Sequence, residues 1–264
     1  MTTLLEPPIA PATRREIETR LAAVEAEHDV RILLAVESGS RAWGFPSPDS
    51  DYDVRFVYVR SRNWYLSLQP GRDVIEAPIT DEIDLNGWDV RKALGLLLKS
   101  NAVMLEWMAS PIRYRPDDPV VARLAALADD LLDARSLAHH YASLGRNAAE
   151  RWLDGDGPVP VKKYFYSLRP ALAIRCLRRD PAVRPPMNLQ ALVRAAALQM
   201  DVADLVTRLV EMKRRTNERA NGLRAPELDA LIRSELSRAA EVPVTRPSNP
   251  PLHRADQFFL ELVT

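Results

Sequence analysis

The stretch that decides how this chain folds runs Glu37-Ser-Gly-Ser-Arg-Ala-Trp-Gly-Phe-Pro-Ser-Pro-Asp-Ser-Asp-Tyr-Asp-Val54. Segments of strand character flank it. Residues 31–37 (Arg-Ile-Leu-Leu-Ala-Val-Glu) are a short apolar run, and residues 53–59 (Asp-Val-Arg-Phe-Val-Tyr-Val) are β-branched and aromatic with alternating character. Gly44, Pro46 and Pro48 make the connection a turn. Two acids at i and i+2 on an extended segment point to one face, so Asp51 and Asp53 can converge on a hard cation. Mg²⁺ takes oxygen ligands and keeps positions for phosphate. Gly39 admits close approach of backbone to a phosphate, and Ser40 offers a hydroxyl and an N–H. A later strand, residues 82–85, adds Glu82 and Asp84. Two-metal phosphoryl chemistry needs a third carboxylate beside the pair. Asp84 is the better placed, but Glu82 shares its parity, so the spacing leaves the choice open.

Outward from this centre the first part of the chain reads as mixed α/β. Residues 12–28 carry Ile17, Leu21 and Val24 at helical spacing. Residues 73–77 are a weaker strand, and Asn86-Gly87 is expected to stop the strand at 82–85. Asp89 reads as the N-cap of a helix reaching Lys99, with Leu94, Leu97 and Leu98 on its apolar face. A short helix at 103–108 and an edge strand at 112–115 follow. Beyond Pro116-Asp-Asp-Pro119 the periodicity is helical, over 120–153, 160–179, 188–198, 201–221 and 226–240. A proline-rich linker at 243–251 precedes a last short segment. The expected fold class is α+β, with an α/β domain at 1–116 and an all-α domain at 117–264.

Composition narrows the function. Lys plus Arg and Asp plus Glu balance at 36 each. The first 116 residues hold 14 basic against 17 acidic residues, leaving 22 against 19, so neither part has the excess of a non-specific nucleic-acid binder. No apolar run is long enough to span a bilayer, and residues 1–10 lack the pattern of a signal peptide. Cys176 is the only cysteine, which fits a reducing cytoplasm, and on a helix it reads as a small apolar residue. Adjacent His139 and His140 face different ways and cannot form an i, i+4 metal pair. P-loop, dinucleotide, zinc and nucleophile-elbow motifs are absent.

The spacing Gly39-Ser40-x₁₀-Asp51-x-Asp53 resembles the signature of the DNA-polymerase-β-like nucleotidyltransferase superfamily, with Asp84 matching its third acid. With Asp84-Leu-Asn-Gly-Trp-Asp-Val-Arg-Lys-Ala-Leu94, Lys99-Ser-Asn101, Leu105-Glu-Trp-Met-Ala-Ser-Pro111 and Lys162-Lys-Tyr-Phe-Tyr-Ser-Leu-Arg-Pro170, residues 30–220 are similar to bacterial and phage RNA-repair-pathway nucleotidyltransferases. The resemblance implies a small mixed sheet with helices on one side, then a helical domain closing over the nucleotide. It implies two Mg²⁺ ions (or Mn²⁺) held by Asp51, Asp53 and Asp84, a nucleoside triphosphate as partner, and transfer of a nucleoside monophosphate to a hydroxyl. The acceptor stays open: an RNA end, a protein hydroxyl or a small molecule. A regulatory or antitoxin-like module that binds nucleotide without turnover is the alternative.

Other residues carry two readings. Arg41 either touches a phosphate or is a turn arginine. Lys99 either compensates a helix dipole or serves substrate. Trp43 either stacks on a base or covers a core edge. Lys162, Tyr166 and Arg169 fall at i, i+4 and i+7 on one helix and could grip a triphosphate; a solvated basic face is the rival. For Lys213 to Glu218, a solvated face is the expectation.

Overall fold

The computed structural model describes residues 9–69, 71–79, 81–150, 152–155, 157–216, 221–222, 224–246 and 252–264. The expected end of the fourth late helix (217–220) and most of the proline-rich linker (247–251) lie outside them, as do residues 1–8.

The chain opens with α1 (Pro11–His28), β1 (Val30–Glu37), the one-turn α2 (Ser40–Trp43) and β2 (Tyr52–Arg60). The one-turn α3 (Arg62–Tyr65), β3 (Val74–Glu76), β4 (Ile83–Asp89), α4 (Val90–Leu97) and α5 (Ala102–Ala109) follow. The strands form one mixed sheet in the order β1-β2-β4-β3. β2 is antiparallel to β1 and parallel to β4, and β3 is antiparallel to β4. Parallel neighbours set Asp53 directly beside Asp84.

Asn86-Gly87 does not end a strand, contrary to expectation. β4 runs on to Asp89, and a Cβ on Gly87 would come within 2.0 Å of the Phe56 ring. Gly87 is therefore a close-approach residue inside the sheet. Residues 112–115 make no regular strand either. They lie along β1 through a Val36–Arg113 bridge and the amide of Tyr114 on the carbonyl of Ala35 (3.0 Å).

Helices cover both faces of the sheet, whereas one side was implied. Ile17, Leu21 and Val24 of α1 bury Val54, Phe56, Tyr58, Ile83 and Leu85 on one face. Opposite, Leu34, Val36, Val57 and Val59 join a core that continues through α4 and α5 into the later helices. A register shift between Ile32 and Leu34 reverses the alternation of β1, so that Val30 and Ile32 before it and Ala35 after it all face α1.

The later helices are α6 (Val120–Leu131), α7 (Ala134–Ala149), α8 (Val161–Arg179), α9 (Leu189–Ala195), α10 (Met200–Arg215), α11 (Pro226–Ser237) and α12 (Leu252–Val263). A 3₁₀ turn (Ala239–Glu241) follows α11, and a two-residue ladder pairs β5 (Val159–Pro160) with β6 (Asn221–Gly222). The expected helix over 120–153 is broken at Leu132-Asp133. There Asp133 caps α7 by accepting from the Ser136 amide at 2.9 Å. Asp89 caps α4 as expected, accepting from the Arg91 amide at 2.8 Å and the Tyr65 hydroxyl at 2.8 Å. Among the described residues, no helix is long and apolar enough to cross a membrane.

Candidate functional site

The acids stand where β2 begins. Asp51, Asp53 and Arg55 share the sheet face that carries Val57 and Val59, the face turned toward the helical part. The core fills that face deeper in and stops short of the acids, leaving Asp51 exposed and Asp53 and Asp84 half-buried. Asp84 lies level with Asp53; Glu82 lies one step outward, its carbonyl accepting from the Tyr52 amide at 2.7 Å. Asp51 and Glu82 line one open groove of about 520 Å³ with Thr13, Glu16, Tyr52 and Asp81. Among the described residues, no three His, Cys, Asp or Glu side chains form a ready-made metal cage. Between Asp53 and Asp84 stands instead Arg55, whose Nη2 donates to Asp53 Oδ1 at 2.9 Å and to Asp84 Oδ2 at 2.7 Å.

Burial pushes the Asp53 carboxyl above the usual range; Arg55 opposes the shift, the charges of Asp84 and Asp51 add to it, and Lys162 opposes it. Lys162, at the start of α8, is thus within electrostatic reach of the acids from the opposite half of the chain.

Gly39 packs directly against Asp53. A Cβ there would sit 1.8 Å from Asp53 Oδ2. Beside it Glu37 is fully buried, accepting from the Asp53 amide at 3.1 Å and from the Tyr114 hydroxyl. Burial raises its carboxyl to about 7, against the stabilising hydrogen bond from Tyr114.

The turn after Gly39 is tethered from several directions. Ser40 Oγ donates to Ser50 Oγ (3.0 Å), which also accepts from the Ser47 amide (3.0 Å). Arg41 donates to the carbonyls of Ser50 (2.5 Å) and Asp51 (3.2 Å), with its guanidinium 3.9 Å over the Tyr52 ring. In this arrangement Arg41 braces the loop. Phe45 stacks on Phe165 of α8 at 4.1 Å, and Gln190 donates to the Gly44 carbonyl at 2.9 Å. Lys213, expected on a solvated face, is buried, and its Nζ donates to Ser47 Oγ at 3.0 Å. The α10 face that looked polar in sequence packs against the turn, which helical periodicity alone cannot reveal.

The α8 triad divides. Lys162 and Tyr166 are exposed and line a groove of about 410 Å³ with Asn147, Glu150 and Lys163. Tyr166 meets Trp43 edge-on at 5.2 Å. Arg169 is on the same stripe but buried, because α8 runs beneath the 40–50 turn and its outer face becomes covered after two turns. Arg169 donates to Glu106 Oε1 (3.0 Å) and to the Met187 carbonyl (3.1 Å), with Trp43 above it at 4.2 Å. Trp43 is therefore a lid over this ion pair. Lys99 is exposed just after α4, away from these contacts, while Asn101 caps α5. His140 Nδ1 accepts from the Ala102 amide at 2.9 Å, a structural role. Cys176 is buried and its thiol is pushed up to about 12 by that burial.

Sequence reading missed Arg55, Glu37, Glu106 and Lys213. Arg55 was legible in principle, since a cation two residues after Asp53 on a strand must share its face. The others depend on contacts between distant segments.

A mixed sheet bearing acids in register where its two central strands begin, with Lys162 of α8 in electrostatic reach, agrees with the polymerase-β-like class. The chain belongs to the RNA repair pathway DNA polymerase beta family, whose sequence profile matches residues 13–261. It is 39% identical over 228 residues to an uncharacterized protein, YcgL, of Bacillus subtilis (strain 168), covering 86% of this chain and 87% of that one. It is also 23% identical over 132 residues to a Drosophila melanogaster tRNA (34-2'-O)-methyltransferase regulator, WDR6, covering 49% of this chain and 12% of that one.

Proposed function

We propose that the protein is a metal-dependent nucleotidyltransferase that moves a nucleoside monophosphate from a triphosphate to a hydroxyl acceptor, releasing pyrophosphate. The observation that carries this reading is the register of Asp53 beside Asp84, with Asp51 on the same face and Gly39 against Asp53. Three carboxylates of this kind are hard oxygen donors suited to Mg²⁺ or Mn²⁺. Bound there, two such ions would neutralise charge building on the α-phosphate and leaving pyrophosphate and acidify the acceptor hydroxyl.

The remaining work falls to the chain. Asp51, Asp53 and Asp84 would hold the ions, and Asp84 orients the acceptor hydroxyl and takes its proton. Ser40, on a turn braced by Arg41, binds phosphate; Lys162 pairs with triphosphate oxygens and Tyr166 lies along the nucleotide. Arg169 acts at one remove, holding Trp43 against Tyr166. The groove that Asp51 lines is assigned to the acceptor and the groove that Lys162 lines to the triphosphate, Lys162 being within electrostatic reach of Asp53. The family's description favours an RNA end as acceptor.

The test is incubation of the protein with each labelled nucleoside triphosphate, Mg²⁺ and RNA oligonucleotides, scoring labelled RNA and pyrophosphate. Asp51→Asn and Asp53→Asn are expected to abolish transfer with the fold intact. Full transfer by either variant overturns the mechanism, and tight nucleotide binding without pyrophosphate release favours a regulatory module.

A further inference from the structure

Arg55 follows Asp53 by two residues on β2 and so lies on the acid-bearing face. One nitrogen, Nη2, reaches carboxylates from two different strands: Asp53 Oδ1 at 2.9 Å and Asp84 Oδ2 at 2.7 Å. The other, Nη1, donates to the main-chain oxygens of Val54 at 3.0 Å and Asp84 at 2.9 Å. The guanidinium is planar and its donors are fixed relative to one another, so four hydrogen bonds define one position. Its side chain is only 17% exposed, where water and salt screen little.

This differs from an incidental surface pair in what it leaves available. Asp53 Oδ1 is turned to Arg55, whereas Oδ2 is turned to Gly39 and the turn beyond it. Asp84 likewise commits Oδ2 and its carbonyl to Arg55. Each acid is thus tied by one oxygen on the inner side. Without a cation there, two carboxylates in register on neighbouring strands would repel each other and rotate apart.

We infer that Arg55 is a positioning residue, a resident counter-cation that keeps Asp53 and Asp84 aligned and lowers the charge their site presents to divalent ions in the absence of nucleotide. The inference rests on the metal-dependent reading above. Of the three formal negative charges of Asp51, Asp53 and Asp84, Arg55 cancels one. Divalent ions are then drawn weakly by the bare protein and fully only when a triphosphate contributes its own oxygens, which couples metal loading to substrate.

The experiment is thermal unfolding and Mn²⁺ titration of the full chain with no nucleotide, for wild type, Arg55→Gln and Arg55→Lys. In chelator, Arg55→Gln is expected to melt several degrees below wild type, and Mn²⁺ alone is expected to restore most of the difference. Its Mn²⁺ affinity should exceed that of wild type by about tenfold or more, since a full positive charge has left the site. Arg55→Lys keeps the charge without the two-pronged geometry and should fall between. A lower melting temperature that Mn²⁺ does not restore, or Mn²⁺ affinity equal to or weaker than wild type, overturns the inference. Should Arg55→Gln fail to fold even with Mn²⁺, Arg55→Lys decides by the same comparison of affinities. Failure of the underlying reading looks different: wild type and variants all bind no Mn²⁺, with or without triphosphate, and the inference falls with it.

Discussion

Gly39→Ala isolates the link between backbone and chemistry. The backbone at Gly39 has a negative φ of −126°, on the side that L residues occupy, so the substitution acts chiefly through its new methyl group. That methyl would stand 1.8 Å from Asp53 Oδ2, whereas ordinary contact begins at 3.4 Å, so the oxygen must retreat by 3.4 − 1.8, or 1.6 Å. The Asp53 side chain can swing, but swinging strains the 2.9 Å bond from Arg55 to its other oxygen. Losing a partly exposed charged hydrogen bond costs about 1 kcal/mol, a fall in Tm of roughly 2–4 °C for a chain of this size. Activity is far more sensitive, because a misplacement of about 1 Å in a reacting constellation costs roughly 100-fold in rate. The assay is pyrophosphate release with Mg²⁺ and triphosphate, paired with circular dichroism melting. A folded Gly39→Ala protein within about threefold of wild-type rate would refute the assignment of Asp53 as the residue Gly39 makes room for.

The other predictions draw on groups around this centre. Glu37 has its carboxyl raised from 4.5 to about 7. Its stabilising contribution is therefore full below pH 4.5 and lost as pH rises through about 7, by an amount on the order of 3 kcal/mol. Glu37→Gln should flatten the decline in Tm across that window and raise Tm at pH 8, and an unchanged pH profile counts against it. Glu106→Ala leaves the buried Arg169 guanidinium without its carboxylate partner and should cost about 3 kcal/mol in denaturant unfolding; Glu106→Ala with Arg169→Met should recover part of that. Additive losses in this double-mutant cycle would show the pair uncoupled. Lys162→Ala removes an exposed cation, so stability should stay within about 0.5 kcal/mol while the KM for triphosphate rises by about tenfold. An unchanged KM removes Lys162 from the nucleotide site.

The acid pair was legible because strand parity is a local property: Asp51 and Asp53 share a face whatever the rest of the chain does, whereas the place of Asp84 beside them depends on the pairing of β4 with β2. The cap at Asp89 is local in the same way. What the sequence concealed were contacts between segments far apart. Arg169 sits at helical spacing from Lys162, but whether that stripe meets water depends on the 40–50 turn lying across it. Lys213 belongs to a run of cations that reads as solvated until Ser47 arrives against it. Gly87 looked like a strand terminator because nothing in the neighbouring residues announces the ring of Phe56. Glu37, an acid at the end of an apolar strand, gave no sign that Tyr114 would enclose it.

The tethers on the Gly39–Ser50 turn also set an order of events during synthesis. The acids are translated within the first third of the chain, together with the strands that align them. The turn gains its stacking partner Phe165 and its hydrogen-bond partners Gln190 and Lys213 only from much later segments. A ribosome-bound fragment ending before α8 therefore carries every acid of the candidate site beside a turn that still lacks all three of these partners, and a nascent chain gains the last of them only when α10 has emerged.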